Sequence, residues 1–121
     1  MYIIIEKIYD NEDRDYNVRR LVKRLRRIEK NMSGKARNDF SKFITGNLYS
    51  RTVLPLPERQ MIACAVLAAT RARAELKLHV NAALNVGCAP QKLAEIFFQM
   101  APYTGMPAVN EALAVYREVL I

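Results

Sequence analysis

The chain has 121 residues, 51% of them hydrophobic, with no tryptophan, four glycines and a formal net charge of +7. That length fits one domain and leaves no room for two, and the composition excludes a disordered or low-complexity chain. The two cysteines, Cys64 and Cys88, make neither a CxxC pair nor a metal-ligand spacing, and their apolar neighbours read them as small buried hydrophobes.

The opening stretch, "MYIIIEKIYDNEDRDY", has an alternating β-branched start that predicts a short strand or an extended arm. It lacks the basic lead of a signal peptide. The longest apolar run, 61–69, is far too short to span a membrane. A cytoplasmic protein with no membrane partner is therefore expected. The basic excess is local, since residues 14–42 carry eleven Lys or Arg against three acids. Within them "DYNVRRLVKRLRRIEKN" predicts a helix, with Val18, Leu21, Val22, Leu25 and Ile28 as its apolar stripe and seven cations on the wide face. That face reads as solvated or as paired with acidic groups of a neighbouring subunit. No aromatic interleaving or reader motif accompanies it, so nucleic acid is not expected as a partner.

A second helix is predicted over 35–49, "KARNDFSKFITGNLY", with Phe40, Phe43 and Ile44 facing inward. Pro55 and Pro57 make the following stretch a connector. Pro57 then opens a third helix, "PERQMIACAVLAAT", with Glu58 in its first turn. That helix is apolar nearly all round, which places it at the centre of the domain or of an oligomer. A fourth helix spans 73–85 and stops at Gly87. A fifth begins at Pro90 and stops before Pro102. A last one follows the "YTGMP" turn and spans 107–120. The fold class is all-α, a single-domain bundle of about six helices over 1–121. A chain this short covers little of its own apolar surface, so a homo-oligomer is expected.

The fourth helix holds the only histidine. Each helical residue advances about 100°. With Arg73 at zero, Lys77, Asn81 and Asn85 form a polar row, and Glu75 and His79 fall in the middle of the opposite, apolar arc. They are i, i+4 neighbours. A carboxylate and an imidazole on a packing face must be paired or must line a cavity, because an unpaired buried charge is costly. Two readings stay open: a structural Glu–His pair, or a pocket beside Ala72, Ala82 and Ala83. In the pocket reading Glu75 holds the ring and raises its pKa, and His79 moves a proton near neutral pH.

The segments "FITGNLYSRTVLPLPERQMIACAVLAA", "ELKLHVNAALNVG" and "QMAPYTGMPAVNEALAVYREVL", in this order, resemble the carboxymuconolactone decarboxylase family, with its alkyl hydroperoxidase D-like helical fold. The resemblance covers 43–121, with 1–42 as a divergent arm and basic helix. It places His79 at the family's histidine and Glu75 at the glutamate of the decarboxylase branch. In the peroxidase branch a CxxC precedes that histidine, and Ala72 and Glu75 stand in those positions here, so thiol chemistry is disfavoured. The decarboxylase pattern is also departed from: Gln60 stands for a usual glutamate, Asn81 for an arginine, and Val86 for an asparagine. A neutral Asn81 cannot clamp a substrate carboxylate as an arginine would. Gln60, Asn81, Tyr49 and Tyr103 are the expected substrate contacts, and Thr104 falls in the same kind of segment.

The resemblance implies a lyase or isomerase acting on a small carboxylated, lactone-like molecule, in the degradation of aromatic compounds. His79 and Glu75 are its expected catalytic residues, and no cofactor or metal is implied. It further implies a trimer or hexamer. The alternatives are a ligand-binding or scaffold homologue without catalysis and, ranked below it, a thiol peroxidase.

Overall fold

The computed structural model describes residues 23, 27, 30–31, 34–48 and 50–121. The expected strand or arm, most of the basic helix and Tyr49 lie outside the described residues. Lys23, Arg27 and Lys30 are described, and all three are helical and exposed. Among the described residues there is no strand, and the fold is all-α. The chain divides into two compact units, Met1–Leu54 and Pro55–Ile121.

The first unit contains helix α1, Gly34–Ser41, which runs on as a π-helical segment, Lys42–Leu48. The predicted second helix is therefore present but underwound into wider turns at its C-terminal half. Widening rotates side chains away from their α-helical positions, and Phe43, expected inward, is 54% exposed.

The second unit is a bundle of five helices: α2 Leu56–Ala69, α3 Arg73–Asn85, α4 Pro90–Gln99, α5 Ala101–Thr104 and α6 Met106–Leu120. Their starts follow from proline chemistry. Pro57, Pro90, Pro102 and Pro107 all sit in first turns, where the missing N–H has no intrahelical partner to lose. Pro102 thus opens the short α5 in a stretch that reads as an open turn from sequence.

The core is built from four stripes. Gln60, Cys64 and Ala68 repeat every four residues along α2. Leu93, Phe97 and Met100 do so at helical spacing from α4, and Ala108, Val109, Ala112 and Val115 do so from α6. Helix α3 contributes Leu76, Val80 and Ala83 to the same core, and Leu78, Asn81 and Ala82 are buried as well. Burial on nearly all sides makes α3 the central helix. The α2 helix is not enclosed in the same way, since Ile62 and Val66 are 51% and 55% exposed. The polar row of α3 is tied to α6 by ion pairs. Arg73 and Lys77 both pair with Glu118 of α6, the latter at 3.6 Å. At the same end of α6, Tyr116 donates its hydroxyl hydrogen to the Pro90 carbonyl at 2.8 Å.

Helices α2 and α3 end in the same hydrogen-bond pattern. The Ala72 N–H reaches back to the Leu67 carbonyl and the Cys88 N–H to the Ala83 carbonyl, both at 2.9 Å. This closure demands a left-handed residue one place earlier. Gly87 supplies it after α3 at φ 95°, whereas Arg71 supplies it after α2 at φ 57°. No atom crowds a Cβ built at Gly87. Gly87→Ala should therefore cost only backbone strain, about 1–2 kcal/mol. Arg71→Gly should gain stability instead, because the lost 3.4 Å pair with Glu111 is partly exposed and contributes little. Urea unfolding of both variants checks the opposite signs, and equal effects would refute the assignment.

Candidate active site

The α2–α3 hairpin brings Gln60 against His79. Gln60 lies on the buried stripe of α2 and is fully enclosed. Its neighbours on that stripe, Cys64 and Ala68, are small, which lets two helices approach closely. The His79 Nδ1–H donates to Gln60 Oε1 at 2.9 Å. An amide oxygen only accepts, so this bond puts the imidazole proton on Nδ1. The other ring nitrogen, Nε2, has no partner among the described residues, and the ring is half-buried. On the other side of the bond, Gln60 Nε2 is buried without a hydrogen-bond partner among the described residues. Such a donor ordinarily costs about 1–3 kcal/mol.

Glu75 is half-buried on the same face of α3, one turn before His79. It acts on the ring through its charge, in the upward direction expected from sequence. Burial is the larger influence and pushes the imidazole below the ordinary histidine value of 6.5. The expectation of a raised value is thus reversed, because desolvation of the cation outweighs an unbonded carboxylate. The neutral ring is the form the fold favours. This part of the stability is present above pH 6.5 and is lost as pH falls through the depressed folded value. Parent protein should accordingly lose stability relative to His79→Gln on acidification below that point. Urea unfolding at neutral and at acidic pH measures the gap, and a gap that stays constant would contradict the depressed value.

The other expected contacts are dispersed. Asn81 is two residues past His79, about 200° around the helix, and its Nδ2 donates to the Lys77 carbonyl at 2.9 Å. One of its two amide hydrogens is used on its own helix, and the side chain is not on the face of the imidazole. Tyr103 is 89% exposed on α5, and Thr104 bonds back to the Met100 carbonyl at 3.1 Å. The two cysteines belong to one core cluster. Burial, and then the charge of Cys88, push the Cys64 thiol up to about 12. Cys88 donates to the Pro57 carbonyl at 3.3 Å, and burial raises its thiol too. Among the described residues no three His, Cys, Asp or Glu side chains gather as metal ligands. No described helix is long and apolar enough to cross a membrane.

Sequence reasoning named Gln60 as a polar contact but missed that it, and not Glu75, hydrogen-bonds the ring. A glutamine at a position on an apolar stripe was the available signal.

The Carboxymuconolactone decarboxylase family profile matches residues 35–118. A 4-carboxymuconolactone decarboxylase from Acinetobacter baylyi is 35% identical over 82 residues, which is 68% of this chain. The chain spans 61% of the length of that relative. With the profile covering most of the sequence, and with the all-α fold carrying the histidine on its central helix, the chain belongs to the carboxymuconolactone decarboxylase family.

Proposed function

We propose that the protein is a cofactor-free lyase or isomerase acting on a small carboxylated, lactone-like molecule, with His79 moving the proton. The observation that carries this reading is the half-buried imidazole held at Nδ1 by an enclosed amide, with Nε2 left unpartnered among the described residues. A ring oriented through one nitrogen and unpartnered at the other is arranged for proton transfer. The Glu75 carboxylate favours the imidazolium once a proton has arrived. The apolar helix around them desolvates a substrate carboxylate, which favours loss of carbon dioxide. The relative's name makes 4-carboxymuconolactone the first substrate to test.

Tyr49 and Tyr103 enter the proposal as ligand contacts through the family resemblance alone. Asn81 is not carried into it, because it lies about 200° around α3 from His79. Assembly into trimers or hexamers in the cytoplasm is also part of the proposal. The exposed Ile62 and Val66, one turn apart on α2, support covering of that face by another copy.

A second reading, a ligand-binding homologue without catalysis, draws support from the same Asn81, since no cation stands there to clamp a carboxylate. The thiol peroxidase is disfavoured by a Cys64 held at about 12, where almost no thiolate exists at neutral pH. The deciding experiment follows 4-carboxymuconolactone and released carbon dioxide with parent and His79→Gln protein. Turnover by the parent that is lost in the variant supports the lyase. Saturable binding without turnover favours the second reading, and neither binding nor turnover removes both for this compound.

A further inference from the structure

The two ends of the Gln60 amide are in unequal states. Oε1 receives the His79 proton at 2.9 Å, whereas Nε2 is fully buried and gives its hydrogens to no described atom. A buried amide donor without an acceptor is rare in a folded chain. It stands one hydrogen bond behind a half-buried ring. The acids of α3 and α6 do not supply the missing acceptor. On α3 the facing charge is Glu75, which acts on the imidazole and forms no hydrogen bond among the described residues. From α6, Glu118 is taken by Arg73 and Lys77, and Glu111 by Arg71.

The protonation pattern also limits the chemistry. A neutral imidazole with its proton on Nδ1 has no proton to deliver from Nε2. It begins as a base. An uncharged amide donor is a poor partner for a buried carboxylate, whose charge would stay uncompensated. It is a good partner for a neutral carbonyl oxygen that gains charge during reaction.

We propose that Gln60 makes this a site for removing a proton beside a carbonyl: its Oε1 holds His79 with Nε2 as the base, and its free amide N–H takes the carbonyl oxygen. The inference rests on the proton-transfer reading above and narrows it to an isomerase acting on an enolisable lactone. In the step, the C–H bond next to the carbonyl breaks and its proton bonds to His79 Nε2. The C–H electron pair becomes a carbon–carbon double bond, and the carbonyl π pair moves onto oxygen, where Gln60 Nε2–H holds it. The imidazolium keeps its Nδ1 bond to Gln60 and is favoured by the Glu75 charge. Return of the proton from Nε2 to the far carbon of the conjugated enolate completes a double-bond shift. Nothing else is consumed.

The probe is α-angelica lactone, a β,γ-unsaturated five-membered lactone without a carboxyl group. Hydrogen exchange and isomerisation are followed by proton NMR in deuterated buffer, and the sole histidine is followed by nitrogen NMR. The parent should show the Nδ1–H tautomer at neutral pH and isomerise the lactone above the buffer rate. Gln60→Met removes the donor and keeps the side-chain length. It should lose about a hundredfold in rate and the Nδ1–H preference, with unchanged or higher thermal stability. Gln60→Glu should shift the imidazole titration upward by about one unit or more, as a carboxylate beside the ring requires. A parent that leaves the lactone at the buffer rate, an Nε2–H tautomer, or a Gln60→Met protein with the parent's rate overturns the proposal. Loss of 4-carboxymuconolactone turnover in His79→Gln, with no effect on α-angelica lactone, would leave the lyase reading standing and remove this one. Indifference of both compounds to His79→Gln would remove both.

Discussion

Phe97→Ala is expected to destabilise the protein by about 3–5 kcal/mol, a large part of the total stability of a domain this size. Phe97 is fully buried at the centre of the stripe that α4 presents to the core. Its ring meets that of Tyr116 edge to face, with centroids 6.2 Å apart and planes at 71°. Truncation therefore removes the transfer energy of a large side chain, leaves a cavity, and takes away an aromatic pair. The neighbouring Phe98 provides the internal comparison. It is 52% exposed one position along the same helix, so Phe98→Ala should change stability by no more than about 0.5 kcal/mol. Urea unfolding of the two variants side by side measures the contrast. Similar losses at both positions would mean that the face of α4 has been misassigned.

The second large effect concerns His79. If the ring moves the proton, His79→Gln should lose about a hundredfold to ten-thousandfold in turnover while the fold stays nearly as stable. Stability should survive because of what holds the ring. Its hydrogen bond is to the neutral Gln60, not to Glu75. A glutamine at 79 offers an amide N–H to the same Gln60 oxygen, and no buried charge is stranded. A cost near 1 kcal/mol is expected. Had Glu75 been the buried partner, removal of the imidazole would have left its carboxylate alone, at a cost of about 3–5 kcal/mol. Denaturant unfolding and turnover on the same preparation separate the two cases. Strong destabilisation without loss of activity would make the residue a structural one.

Local pattern carried most of the helices. The spans around α3 and α6 follow from apolar spacing, and the helix ends follow from Pro57, Gly87 and Pro90. The reason is that prolines, left-handed glycines and helical periodicity act within a few residues of themselves. The same local rules placed Glu75 and His79 on one face of one helix, and the paired motifs pointed to the family that the profile match supports.

Which side chain meets which was decided by tertiary packing. Gln60 and His79 are 19 residues apart, and the contact depends on the register of the α2–α3 hairpin, which no helical pattern encodes. Arg73 and Lys77 read only as a polar row until Glu118, 45 residues from Arg73, pairs with both from α6. Cys64 and Cys88, unrelated in spacing, come together in one cluster close enough for the charge of one to act on the other. Even the sign of the His79 shift was a tertiary result. Sequence shows the carboxylate four residues away, which raises the value. Only the packed structure shows how much water has been removed from the ring, and that desolvation is the larger effect.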